Sequence, residues 1–151
     1  VLTALSRAPM LIHTLNLPSL DISSTLGLSD PSPEGWFYPS TYEYVYGMSD
    51  QEILKKAHKK MLEKLTYYWS NRPSSLFYTN PYQALIVASM IEKETTVVSE
   101  KPLIAGVILN RLSIRMPLQI DPTVIYGLGK NYDGRLNTSE LKQDNPYNTY
   151  K

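Results

Sequence analysis

The stretch most informative about the fold is NPYQALIVASMIEKE, residues 80–94. Asn80 can cap a helix by accepting a backbone hydrogen bond, and Pro81 suits the first helical position. The middle of the stretch is apolar at nearly every position, which is typical of a helix covered on all sides. We therefore predict that a buried central helix occupies about 81–94.

Other segments on both sides of this helix also carry helix signals. Ser49 and Glu52 have the spacing of a capping box, and apolar residues recur at helical spacing from 54 to 68. A weaker amphipathic signal covers 2–15, and the proline- and serine-rich stretch 18–33 is predicted to be a loop. The helix that begins near Ser49 also carries five lysines, for which a solvated face is a better explanation than a polymer-binding stripe: Lys55, Lys56, Lys59, Lys60 and Lys64.

The second half of the chain contains two more predicted helices. One follows Ser99, and the other starts at Asp121 and stops near Gly127. Short strands are predicted at about 41–46 and 116–120. The pattern therefore predicts an α+β fold class, mainly helical with a few short strands, in a single domain over residues 1–151.

Composition excludes several classes of function. The 151 residues include no cysteine and only two histidines, so disulfides, thiolate metal sites and a histidine-rich metal centre are not expected. A net charge of +1 demands neither nucleic acid nor an acidic membrane surface as partner. No apolar run approaches the roughly 20 residues that span a bilayer. Because the chain opens on Val1, inside a predicted helix, we expect it to be an excised piece of a longer protein.

The end of the central helix is the strongest candidate for chemistry. Glu92 and Glu94 lie about 200° apart around a helix, so both cannot face one cleft. Glu94 extends the apolar stripe of Val87, Met90 and Ile91, whereas Glu92 follows a weaker one. A carboxyl among apolar neighbours has a raised pKa and can act as a general acid. This reasoning ranks Glu94 first.

A structural role for Glu94 stays open at this point. Its side chain can simply emerge into water, or pair with Lys93 or Lys101. Further polar candidates lie later in the chain, and several of them have structural explanations of their own, such as a helix cap for Asp121: Glu100, Asn110, Arg111, Gln119, Asp121, Tyr126, Asn148 and Tyr150. No phosphate loop, Ser-His-Asp set or zinc signature is present, so no cofactor or metal is predicted.

The order of several short motifs resembles one enzyme family. The motifs are EGWFYP at 34–39, KAHKKM at 56–61, ASMIEKET at 88–95, SE at 99–100, VILNRL at 107–112, LQIDPTVIYG at 118–127 and YNTY at 147–150. Together they resemble the endolytic peptidoglycan lytic transglycosylases of the MltG/YceG-like type. The similarity covers nearly the whole chain, whereas a single motif such as Glu-Lys-Glu is not specific.

The resemblance implies a bacterial enzyme of the inner membrane whose catalytic region faces the periplasm or the cell exterior. It implies cleavage of the β-1,4 bond between MurNAc and GlcNAc in glycan strands, leaving 1,6-anhydroMurNAc ends. It makes Glu94 the catalytic residue, and motif membership makes the following residues substrate-binding candidates: Gln119, Asp121, Tyr126, Asn148 and Tyr150. Peptidoglycan strands are the implied partner, with peptidoglycan synthases as a further candidate.

The family's membrane helix, LysM-like module and segment beyond YNTY do not occur in this sequence. We therefore expect a fragment of a YceG-like catalytic domain, with part of the cleft outside it. Two alternatives stay open. One is a hydrolytic muramidase in which Glu100 or Asp121 activates water, and the other is a non-catalytic peptidoglycan-binding domain of the cell-wall synthesis machinery.

Overall fold

The computed structural model describes residues 2–15, 22–28, 32–74 and 76–151. Within these ranges 53% of the residues are helical and no β-sheet is present. The extended pairing consists of an isolated parallel bridge between Ile12 and Ser49. The α+β prediction is therefore wrong, and the described residues form a helical fold.

Both predicted strands are wrong for reasons that their sequences did not reveal. In 116–120, Gln119 has a φ of 53°, a left-handed conformation that interrupts any extended run. In 41–46, the Tyr42 hydroxyl donates to the Tyr38 carbonyl oxygen, and no described residue pairs with the segment as a strand. An alternating pattern stabilises a strand only where a neighbouring strand accepts its backbone hydrogen bonds.

The chain divides into two compact units, Val1–Asn71 and Arg72–Lys151. Each unit has its own buried apolar cluster, and each is described separately below. That residues 1–151 form a single domain stays a prediction.

The described residues of the first unit form three helices: α1 (Leu2–Leu5), α2 (Ile22–Leu26) and α3 (Asp50–Ser70). The helix signal at 2–15 thus produces only one turn, and α2 lies inside the stretch predicted to be a loop. The rest of that stretch lies partly outside the described residues. Leu15, Ile22 and Leu54 form a buried apolar cluster in the described part of this unit.

The start of α3 confirms the capping-box prediction. The Ser49 side chain accepts from the Glu52 backbone N–H at 3.2 Å, and Glu52 Oε2 accepts from the Ser49 N–H at 2.8 Å. The next residue, Asp50, is buried, and its carboxylate accepts hydrogen bonds from Thr14 and Leu15. Asp50 therefore fastens the 12–15 segment to the first turn of α3.

Two lysines on the lysine-rich side of α3 contact other residues of the first unit. Lys60 donates to Ser40 Oγ at 2.8 Å, and its ammonium lies 5.6 Å from the Tyr38 ring centre and 5.7 Å from that of Tyr42. Lys56 contacts the Glu43 carbonyl oxygen at 3.5 Å. These contacts explain why the aromatic segment runs along α3 rather than forming a strand.

In the second unit, the residues that the structure describes form four α-helices and two 3-10 turns. These elements are α4 (Pro81–Glu94), a 3-10 turn (Val98–Glu100), α5 (Lys101–Ser113), α6 (Asp121–Leu128), a second 3-10 turn (Gly129–Asn131) and α7 (Thr138–Leu141). Its core joins Val87 of α4, Ile108 of α5 and Ile120, with Tyr78, Met90, Ile91, Ile104 and Leu118 packed around them. Helices α5 and α6 both pack on α4, so α4 is central to this unit.

The bounds predicted for α4 are confirmed, but its burial is not. The Asn80 side chain accepts from the Gln83 backbone N–H at 3.0 Å, and the helix ends at Glu94. Val87 is the one buried residue of α4, whereas Ile86 is 44% exposed. Helices α5 and α6 cover only part of the circumference of α4, so the prediction of a helix buried on all sides is wrong.

Candidate active site

Glu94 is the last residue of α4, and its side chain is exposed. The burial expected from its apolar stripe is therefore not found, because that stripe faces the core only as far as Met90 and Ile91. Within the described ranges, the Glu94 carboxylate takes part in no hydrogen bond and no ion pair. It is an accessible carboxylate at the end of a well-packed helix.

The neighbouring carboxylates have partners within the chain. Glu92 forms an ion pair with Lys101, so Lys101 does not pair with Glu94. Glu100 accepts a hydrogen bond from the Thr95 hydroxyl at 2.6 Å, and the same hydroxyl accepts from the Val97 N–H at 3.0 Å. These contacts fix the turn between α4 and α5 and leave Glu94 as the unengaged acid of the three.

The Tyr150 hydroxyl donates a hydrogen bond to the Asp121 carboxylate. This bond, together with burial and the negative charges of Asp121 and Glu94, raises the pKa of Tyr150 to about 12. Arg111 acts in the opposite direction. Two predicted site residues, Asp121 and Tyr150, are thus in direct contact. A third, Glu94, is close enough for its charge to raise the pKa of Tyr150.

Asp121 does not cap its helix, so the prediction of a helix cap at this residue is wrong. The cap position of α6 is Ile120, and no side chain accepts a capping hydrogen bond there. Asp121 instead occupies the first turn, where a negative charge is favourable, and accepts from Tyr150. The predicted end at Gly127 is short by one residue, because α6 continues to Leu128.

Asn148 is buried, and its side chain is engaged within the chain. Its amide donates to the carbonyl oxygens of Leu141 at 3.0 Å and Gln143 at 2.8 Å. Its Oδ1 accepts from the Tyr150 N–H at 2.9 Å. These bonds favour a structural role in which Asn148 fixes Tyr150, whereas the substrate-binding role stays a prediction.

Thr149 links the YNTY turn to the start of α6, a contact that the sequence reasoning missed. Its carbonyl oxygen accepts from the Gln119 N–H at 2.8 Å, and its hydroxyl accepts from the Ile120 N–H at 2.9 Å. The Thr123 hydroxyl lies 3.0 Å from the same oxygen. The YNTY motif contains Thr149, but the predicted binding residues in that motif were Asn148 and Tyr150.

Tyr126 lies on the exposed side of α6, at 51% exposure, and its ring meets Tyr147 edge to face at 4.8 Å. Tyr147 is 52% exposed, so the two rings together form an exposed aromatic surface. Asn145 links the two segments that carry these rings. Its amide donates to the Gly127 carbonyl oxygen, and its Oδ1 accepts from the Tyr147 N–H.

An open depression of about 370 Å³ lies beside this network. It is lined by the segment 115–118 and by Asn148, Thr149 and Lys151, whereas Glu94 and Tyr126 are outside its lining. No group of three metal-ligating side chains occurs among the described residues. Of the helices in the described ranges, none combines the length and the apolarity that crossing a membrane requires.

A sequence model of the YceG-like family matches residues 4–151. The chain belongs to the YceG-like family. It is 38% identical over 119 residues to an endolytic murein transglycosylase of Bacillus subtilis, and 30% identical over 152 residues to one of Streptococcus pneumoniae. These alignments cover 78% and 98% of this chain, but only 32% and 26% of those two proteins.

A solved structure supports the same family. The 2.6 Å crystal structure of a YceG-like protein from Listeria monocytogenes matches with a TM-score of 0.64 at 29% identity. The match covers 89% of this chain and 47% of that one. This YceG-like chain therefore spans about a third or less of the length of the two transglycosylases and about half of the length of the solved protein.

Proposed function

We propose that this YceG-like chain carries the catalytic acid/base of an endolytic peptidoglycan lytic transglycosylase, and that Glu94 is that residue. The observation that carries the proposal is the contrast between three nearby acids. Glu92 is paired with Lys101 and Glu100 is bonded to Thr95, whereas Glu94 is unengaged within the described ranges. The names of the relatives support the activity, since two of them are endolytic murein transglycosylases.

The proposed reaction needs one carboxyl group. Protonated Glu94 donates its proton to the glycosidic oxygen as the bond between MurNAc C1 and that oxygen breaks. The resulting carboxylate then accepts the proton of the MurNAc C6 hydroxyl, whose oxygen bonds to C1 and closes the 1,6-anhydro ring. Glu94 ends the cycle protonated, and no water is consumed. Glu94 is exposed in this chain, so the reaction requires that water be excluded from it once the strand is bound.

The remaining site residues are proposed to bind the strand. Tyr126 and Tyr147 offer an aromatic face to a sugar ring, and the Asp121–Tyr150 pair lies in the electrostatic range of Glu94. Peptidoglycan strands are the proposed substrate, which implies action outside the cytoplasm. Attachment to the inner membrane and partnership with peptidoglycan synthases are finer proposals that rest on the family resemblance.

A hydrolytic muramidase is the second candidate, and it needs a second carboxylate to activate water. The two acids available for that role, Asp121 and Glu100, already accept hydrogen bonds from Tyr150 and Thr95. Each is therefore a weaker candidate base than an unengaged carboxylate, which favours the reaction with a single acid/base.

The test is product analysis with the full-length protein acting on purified glycan strands. Mass spectrometry is expected to find 1,6-anhydro ends, and Glu94→Gln to lower the cleavage rate by at least about 100-fold. Glu92→Gln is the matched control, because it removes a carboxylate two residues away that is paired with Lys101, and it should keep most of the activity. Reducing ends, or full activity in Glu94→Gln, would contradict the proposal.

A further inference from the structure

Arg111 lies in the last turn of α5, and its guanidinium points at the segment before α6. Its Nη1 donates to the Leu118 carbonyl oxygen and lies 3.4 Å from Gln119 Oε1. One rigid donor group therefore contacts both the backbone and the side chain of consecutive residues. This arrangement sets the direction in which the Gln119 side chain leaves the backbone.

Gln119 has a backbone conformation that does not suit its residue type. Its φ of 53° is left-handed, a region that glycine adopts without strain and glutamine rarely does. Its N–H is fixed by the Thr149 carbonyl oxygen at 2.8 Å, which holds the strained conformation in place. Strain that the surroundings enforce at a non-glycine residue points to a use for the side chain.

The contact with Arg111 fixes the polarity of the Gln119 amide. A guanidinium has donors only, so the amide must turn its carbonyl oxygen toward Arg111. The two N–H donors of Nε2 then face away, on a residue that is exposed. Nothing in the described part of the chain accepts a hydrogen bond from them. The group presented to a ligand is a fixed pair of donors.

We propose that Arg111 is a positioning residue that orients the Gln119 amide so that its Nε2 donates to an oxygen acceptor of a bound glycan strand. N-acetyl carbonyls and sugar hydroxyls are acceptors of this class. The inference rests on the proposed function for the substrate, but it assigns Arg111 no part in proton transfer. The charge of Arg111 also lowers the pKa of Tyr150, so Arg111 lies near another of the proposed binding groups.

A double-mutant cycle tests the coupling between the two residues. The dissociation constant for purified glycan strands is measured in full-length protein carrying Glu94→Gln, with Arg111→Met, Gln119→Ala and both together. Each single change is expected to weaken binding about three- to tenfold, the range of one hydrogen bond. Because Arg111 acts through Gln119, Arg111→Met should weaken binding no further once Gln119 is alanine. The proposal would be overturned if the losses of binding in the two single variants multiplied in the double variant. Unchanged binding in Arg111→Met would overturn it as well.

Two further variants separate positioning from folding. Gln119→Gly relieves the left-handed strain, so its thermal midpoint should equal or exceed that of the parent while strand binding weakens. Arg111→Lys keeps the charge but replaces the rigid planar guanidinium with a flexible ammonium, and it should weaken binding almost as much as methionine. Parent-like binding in Gln119→Gly would also overturn the proposal.

Matched controls remove the same residue types elsewhere in the second unit. Arg135→Met and Gln143→Ala change exposed side chains outside the proposed site and should leave binding unchanged. The cycle is read from binding, whereas the proposed acid/base role is read from cleavage products. Persistent cleavage in the Glu94→Gln background would therefore count against the catalytic role alone, while the binding cycle decides the role of Arg111.

Discussion

At the scale of single residues, the hydrogen bond between Tyr150 and Asp121 joins two motifs that are 29 positions apart in the sequence. The bond keeps the phenol protonated, because the tyrosinate form would place two negative charges in contact. Tyr150 is therefore suited to donate hydrogen bonds and not to act as a base. Its proposed role is to fix Asp121 beside the strand.

A first prediction concerns the titration of Tyr150. Because the Asp121 bond is the largest cause of the raised pKa, Asp121→Asn should lower the pKa of Tyr150 from about 12 toward 10.0. The tyrosinate absorbance of each protein, minus that of its Tyr150→Phe derivative, measures this titration. Asp133→Asn removes an exposed carboxylate outside the network and should leave the curve in place.

The same shift predicts a loss of stability in alkali. The folded state binds the Tyr150 proton more tightly than the unfolded chain, so the contribution is complete below pH 10.0 and disappears as pH rises toward about 12. Tyr150→Phe should remove this part of the alkaline decline. An identical decline in both proteins would show that the bond contributes nothing to stability.

At the scale of elements, Asp50 connects the first turn of α3 to the 12–15 segment. Burial opposes its ionisation, but hydrogen bonds from Thr14, Leu15 and Gln51 outweigh burial and lower the pKa of Asp50 below its ordinary 3.8. Asp50→Asn replaces one acceptor oxygen with a donor and should cost about 2–4 kcal/mol in the free energy of unfolding. Denaturant unfolding followed by circular dichroism measures it.

The control for this prediction is Asp144→Asn, which removes a fully exposed carboxylate and should change stability by less than about 0.5 kcal/mol. The pH dependence follows from the lowered pKa. The stabilisation from Asp50 is present above the ordinary pKa and is lost as pH falls through the folded one. The acid limb of the stability curve should therefore flatten in Asp50→Asn.

Two helical glycines are predicted to respond in opposite directions to alanine. A Cβ at Gly127 would lie 2.6 Å from Asn145 Oδ1, so Gly127→Ala should displace Asn145 and destabilise the turn before Tyr147 by about 1–3 kcal/mol. A Cβ at Gly106 would meet nothing within 4 Å, so Gly106→Ala should stabilise α5 by about 0.5–1 kcal/mol. Equal thermal shifts in the two variants would contradict this explanation.

At the scale of the whole molecule, the helical architecture is itself testable. With 53% helix and no sheet in the described ranges, the far-ultraviolet circular dichroism of the chain should be that of a helical protein. The infrared amide I band should lack the component of paired strands. A clear sheet component would contradict the helical fold and favour the α+β prediction.

Local sequence determined where the main helices lie. The cap at Asn80 and the Ser49–Glu52 capping box place the starts of α4 and α3, because capping depends on residues only three positions apart. The identity of Glu94 as the leading candidate also came from sequence, through the ordered family motifs. Its burial could not be predicted, because burial depends on how much of α4 the other helices cover.

What only the tertiary structure decided are the contacts between residues far apart in the sequence. Asp121 with Tyr150, Thr149 with Gln119, and the left-handed backbone at Gln119 have no local signature, because each depends on the 147–150 turn packing against the start of α6. An extended-looking pattern at 116–120 became a strained bend for the same reason. Backbone hydrogen bonds within a helix are set by neighbours in sequence, whereas a site is assembled by packing, and packing brings together residues that the sequence keeps apart.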